Sequence, residues 1–327
     1  MGSRLHHDAL VEGAFLAGLT VVIALLGLFM PPLFLLSNLI TPLPLAVLVR
    51  RHDLKTGAVA LMVAAALLFV LYGRPVTVLM LVIQLGPLGL LLGLLFKNHV
   101  RAGLAVAAAA VVAAGLTLVT LVLGFWITGI NPLAIGPQMH QGAEHLLEWY
   151  RQQGFIEPGM EEELRRILQE MMQLAALLLP ANLVIWSLVS TFITYYLGQV
   201  VFRRLGYVVT PLPPFKQWQF PWYLVWILIL GLAFLMGGDA LEKQFISAIG
   251  KNLLYTGAFL YLVLGLAVVS FYFARWQLSG TVKILLAVAL LLYWPFAVLM
   301  LITLGLVDSL VNIRHSAHHR EKGGDDK

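Results

Sequence analysis

The chain contains no cysteine. That absence removes disulfide bridges, thiolate nucleophiles and Cys-ligated zinc or iron–sulfur sites together. Charge is nearly as scarce, since only 11% of the 327 residues are Asp, Glu, Lys or Arg, against roughly 25% in an ordinary soluble domain. Recognisable catalytic signatures are also missing: no HExxH, GxSxG, P-loop or GxGxxG occurs. The GGDA at 237–240 lacks the GxGD arrangement of intramembrane aspartyl proteases. These absences argue against an enzyme and call for no cofactor.

What is abundant is apolar. Sixty per cent of residues are hydrophobic and the mean hydropathy is +0.90, which places the chain in the membrane class. Apolar runs fall at 9–30, 33–49, 56–72, 76–96, 102–128, 174–201, 222–238, 251–274 and 284–311. Nine spans of about 20 residues use ~180 residues and leave no room for a sizeable soluble domain. The expected fold is therefore all-α, a polytopic transmembrane helical bundle of about nine spans. Ten is the alternative, because the last run carries Tyr293, Trp294 and Pro295 near its middle and reads as one kinked helix or two short ones. Pro42 and Pro44 make the second span kinked or partly extended. The first eight residues run into apolar sequence without a small-residue cleavage site, so the first span reads as a retained helix.

The net charge of +5 is a matter of topology. With the amino terminus inside, the inner loops hold eleven basic and three acidic residues, while the outer loops hold six and nine. This asymmetry predicts a membrane protein with a cytoplasmic amino terminus, and it removes the case for a nucleic-acid partner. Five regions follow: a six-span bundle over 1–201, an external amphipathic hairpin within it at 129–173, an inner Pro/aromatic loop at 202–221, carboxy-terminal spans over 222–311, and a polar tail at 312–327.

No Asp, Glu, Lys or Arg lies near the centre of any span, which argues against proton-coupled chemistry. The uncharged polar residues are the remaining candidates. Asn38 lies beside the proline kink, Gln84 near the middle of the fourth span, and Trp126 and Asn131 at the outer end of the fifth. On the sixth, Asn182, Trp186, Ser190 and Thr194 recur every four residues, flanked by Ser187 and Thr191. Interhelical hydrogen bonding and a ligand cavity both account for that polar stripe. Small residues recur likewise: Ala9, Gly13 and Ala17 on the first span, with Ala14 and Gly18 beside them, and Gly89 and Gly93 on the fourth. Such ridges serve close packing within a bundle or docking of a separate membrane subunit. In the hairpin His140, Glu144 and Glu148 share a helical face that a divalent metal or plain solvent would suit, whereas His315, His318 and His319 fit a polar tail.

Two resemblances follow from particular segments. PLPPFKQWQFPW (211–222), YLVLGLAVVSFYFARW (261–276) and GLVDSLVNIR (305–314) resemble the YybS-like family of uncharacterised bacterial membrane proteins. The first 200 residues, with NLITPLPLAVLVRRHDLKTG (38–57) and GPLGLLLGLLFK (86–97), look like the S-components of energy-coupling-factor transporters. That second resemblance implies a micronutrient-type ligand bound near the outer face. It also implies docking onto a membrane coupling subunit through Ala9, Gly13 and Ala17. The expected function is a small-molecule binding or transport subunit for a small, neutral ligand contacted by Asn38, Gln84, Trp126, Asn182, Trp186 and Ser190. The rival is a membrane scaffold that binds other membrane proteins through its Ala/Gly ridge and its inner Pro/aromatic loop.

Overall fold

The computed structural model describes residues 2–129, 137–153, 159–276 and 279–314. These residues form helices and turns, without strands. The chain divides into two compact units, Met1–Ala176 with Leu183–Leu212, and Leu177–Asn182 with Pro213–Lys327.

The first unit contains α1 (Gly2–Phe29), α2 (Phe34–Ile40), α3 (Pro42–Arg51), α4 (Leu54–Tyr72), α5 (Pro75–Lys97), α6 (Ala102–Thr128), α7 (Pro137–Gln152), α8 (Glu161–Leu177) and most of α9 (Leu179–Arg204). α3 is its core: all eight residues from Pro42 to Val49 are buried, and it packs on α1, α4 and α5. The second span is helical on both sides of its break, so the partly extended alternative does not apply. Thr41 keeps right-handed helical angles and Pro42 opens α3. Prolines at helix starts cost little because the missing N–H had no partner there. Close approach is built in by Gly89 and Gly93 of α5. A Cβ on Gly89 would lie 2.7 Å from the Pro42 carbonyl oxygen, and one on Gly93 would lie 2.6 Å from Val49 Cβ. Alanines 102, 105, 109 and 113 give α6 a thin buried face of the same kind.

Charged ends close one face of this unit. Glu12 of α1 accepts from Arg51 and pairs with His52 at 2.9 Å. Arg50 donates to the Lys97 carbonyl at 2.9 Å and lies over the Tyr207 ring. Asp53 caps α4, its carboxylate accepting the Thr56 N–H at 2.7 Å. That backbone hydrogen bond holds the Asp53 pKa below the usual carboxylate range. Since the folded pKa lies below the unfolded one, the cap contributes fully above ordinary carboxylate pH and is lost as pH falls through the folded value. Asp53→Ala should therefore cost about 1 kcal/mol at neutral pH. Thermal melts of both proteins in detergent should converge as the pH drops below 4; a constant gap would contradict this role for the carboxylate.

The second unit contains α10 (Val225–Ala240), α11 (Gln244–Arg275), α12 (Gly280–Leu292) and α13 (Trp294–Val311). The last apolar run is thus two helices, broken at Tyr293. Pro295 stands in the first turn of α13, where it cannot donate to the preceding turn. Nine helices among the described residues have the length and composition to cross a membrane, and α12 is shorter. α11 has 32 residues, roughly 48 Å, and one stripe along it runs Ser247, Gly250, Leu254, Gly257, Tyr261, Gly265. Gly250 faces Leu235 and Gly257 faces Leu228 of α10, whereas Gly265 faces Leu301 and Tyr261 faces Gly305 of α13. Both partners run antiparallel to α11, and they occupy successive lengths of the same face.

Candidate functional site

The polar residues expected to line a cavity are mostly engaged with the protein itself. Gln84 donates to the Thr117 hydroxyl of α6 at 3.4 Å, and Thr117 donates in turn to Ala113 of its own helix. On α9 Ser187 and Ser190 return their hydroxyls to the preceding turn, the usual self-satisfaction of a helical serine. Thr194 reaches across instead, donating to the Leu39 carbonyl of the broken second span at 3.0 Å. This contact ties the polar stripe of α9 to the broken second span. Tyr195 stacks on Phe96 beside it, with centroids 4.7 Å apart, and Gln199 is fully buried and donates to the Thr210 carbonyl.

The remaining candidates are dispersed. Asn38 is half-buried. Trp126 is 81% exposed and Trp186 is exposed as well, so neither ring faces the packed interior. Asn182 belongs to the second unit, where it accepts from the Tyr255 hydroxyl at 3.3 Å. Asn131 lies outside the described residues, as do the His140 side chain and His315, His318 and His319. Glu144 is ion-paired with Arg165 at 2.6 Å. No group of three metal-ligating side chains gathers among the described residues. The cavity beside the second span, lined by Thr20, Thr41, Leu45 and Leu61 among others, holds only about 10 Å³, at the lower limit for one water molecule.

The small-residue ridge of α1 is turned inward. Ala17 and Gly13 are buried and Ala9 half-buried, with Gly13 near Thr56 and Leu48. Those three serve packing within the unit, and the open side of α1 carries Ala14 and Gly18 instead. A surface for a coupling subunit would have to use that side.

The most connected polar site lies in the second unit and joins the inner Pro/aromatic loop, the end of the last span and the start of the polar tail. Arg314 is 4% exposed and Asp308 3% exposed. Asn312 turns the chain back with φ 52°, which returns Arg314 to Asp308. Its Nε donates to both carboxylate oxygens, at 3.2 and 3.1 Å, and its Nη2 lies 2.6 Å from one of them. The same guanidinium donates to the carbonyls of Lys216 and Trp218. Ser309 donates to the Phe220 carbonyl and Gln219 to Asn312. One buried ion pair therefore clasps the Pro/aromatic segment 213–221 to the end of α13, a geometry that suits the planar, five-donor fork of arginine. A carboxylate in the last turn of an apolar run, followed six positions on by Arg, was the available signal.

Asn252 of α11 forms a second clasp. Its amide donates to the Leu177 carbonyl and accepts from the Ala181 N–H, filling backbone vacancies where α8 passes into α9.

The curated protein described as uncharacterized protein YybS of Bacillus subtilis (strain 168) is 25% identical over 310 residues, covering 94% of this chain and 97% of that protein. No solved structure matches. A family profile described as predicted membrane protein (DUF2232) matches residues 18–309, and the chain, a multi-pass helical membrane protein by sequence and fold, belongs to that family.

Proposed function

We propose that the protein is a membrane scaffold that binds other membrane proteins. The observation that carries this reading is the filled interior of the first unit. Most of its polar groups bond to other groups of the same unit, and glycines press the second and fourth spans together. A surface that could work by binding lies in the second unit. The Arg314 clasp fixes the segment 213–221, and Phe215, Trp222 and Tyr223 remain 39%, 62% and 60% exposed. Aromatic rings on pre-ordered backbone bind at low entropic cost. The proposal includes a bacterial inner-membrane location with the amino terminus in the cytoplasm, and the clustering of Arg50, Arg51 and Lys97 at one face of the first unit supports it.

Site-specific photo-crosslinkers at Phe215 and Tyr223, introduced in cells, test the scaffold. Discrete adducts with membrane proteins, absent for a crosslinker at the exposed Val70 of α4, are expected. Labelling no different from Val70 would overturn the proposal. A transport subunit is the second reading, favoured by Asn38, a half-buried amide at the break of the second span. A neutral molecule that co-purifies with the protein and disappears in Asn38→Ala would establish it in place of the scaffold.

A further inference from the structure

α7 and α8 pair antiparallel through charge: Arg165 meets Glu144 at 2.6 Å and Arg151 faces Glu161 at 4.0 Å. α8 has two unlike faces. Ile167, Met171 and Leu174 recur at i, i+4 and i+7 and are 42%, 62% and 55% exposed, while Gln169 and Gln173 occupy the opposite side. Along one flank Leu164, Leu168 and Met172 are half-covered. A stripe of large apolar side chains left open by the fold requires a cover.

Continuity identifies the cover. α8 ends at Leu177 and α9, a membrane-spanning helix, begins at Leu179. The same spacing carries the stripe on to Leu178, so the apolar edge of α8 enters the bilayer without a gap in the chain. Leu146 of α7 adds a further exposed apolar side chain. Charge gives no separate attraction to anionic headgroups, because α8 holds four Glu against two Arg. We infer that α7 and α8 form an interfacial hairpin whose Ile167, Met171 and Leu174 edge is sunk among the acyl chains, with the bilayer itself as the partner. The polar edge faces water, and the apolar edge sits ~5–10 Å into the headgroup and acyl boundary, the usual depth of amphipathic helices.

The cysteine-free chain suits a direct test. Single replacements Ile167→Cys, Met171→Cys, Leu174→Cys, Gln169→Cys and Gln173→Cys are spin-labelled in the full chain and reconstituted in phosphatidylcholine vesicles. Collision rates with oxygen and with a water-soluble nickel chelate are then read. Labels at 167, 171 and 174 should show high oxygen and low nickel accessibility, with the reverse at 169 and 173. Equal nickel accessibility on both faces would overturn the inference in favour of a solvated hairpin. Low accessibility of 167, 171 and 174 to both reagents would overturn it in favour of a protein cover. Five positions sampling the helical period keep the result decisive if one variant folds poorly. Adding anionic lipid should leave the pattern unchanged.

Discussion

Replacing Arg314 with alanine should destabilise the protein by about 3–5 kcal/mol, the range expected when one partner of a buried ion pair is removed and the other is left uncompensated. Both side chains are almost wholly buried, so Asp308 has no water to fall back on. The Lys216 and Trp218 carbonyls lose a donor in the same step, adding about 1 kcal/mol each where water does not replace it. Asp308→Leu combined with Arg314→Met should recover the larger part, because it removes both charges, but not the part owed to the two carbonyls. A double-mutant cycle on unfolding in detergent measures the coupling. Trypsin gives a local readout: cleavage after Lys216 should accelerate in Arg314→Ala, where the clasp no longer holds the segment. An Arg314→Ala protein within 1 kcal/mol of the parent and equally resistant at Lys216 would refute the clasp.

The second large effect is steric. A Cβ on Gly265 would stand 2.0 Å from the Leu301 carbonyl oxygen, and one on Gly305 would stand 2.1 Å from that of Tyr261. In both cases the obstacle is backbone, so no rotamer change relieves it and α11 and α13 must separate. Gly265→Ala or Gly305→Ala should cost ~3 kcal/mol, the upper part of the range for overpacking, and lower the melting temperature by about 6–12 °C. Gly103→Ala and Gly115→Ala in α6 make the contrast. Nothing lies within 4 Å of a Cβ at either position, and alanine is the better helix former by about 1 kcal/mol. Those two variants should match or exceed the parent. Equal losses at all four positions would mean that the glycines act through helix propensity and not through contact.

Much of the architecture was open to reading because membrane helices need long uncharged runs, and each apolar run emerged as helix. The run 284–311 holds two helices because Tyr293, Trp294 and Pro295 mark a break that the sequence shows and proline chemistry explains. Contacts were less legible. Gly89 and Gly93 announce a close approach but do not name α3 as the element that approaches. The stripe on α11 is visible in the sequence, yet the periodicity says nothing of how α10 and α13 divide its length. Dividing the chain at 311/312 leaves Asp308 at the end of the last span and Arg314 in the polar tail. Only the left-handed turn at Asn312 brings the two together, and a local backbone state of that kind leaves little trace in composition. The same limit applies to the polar stripe of α9. Its residues were recognisable, but the division between self-bonding serines and the one threonine that reaches Leu39 depends on where the second span breaks.

The central claim is that the first unit has a filled interior and acts through its surfaces. It is tested most directly by placing single cysteines at Ser187, Thr191 and Thr194, all buried, and at the exposed Gln217 of the native cysteine-free chain. A small water-soluble thiol reagent is then applied to membranes. The account predicts rapid labelling at 217 and none at 187, 191 or 194 until the protein is denatured. Labelling of the three α9 positions at a rate comparable to 217 would reveal a water-filled cavity and contradict it.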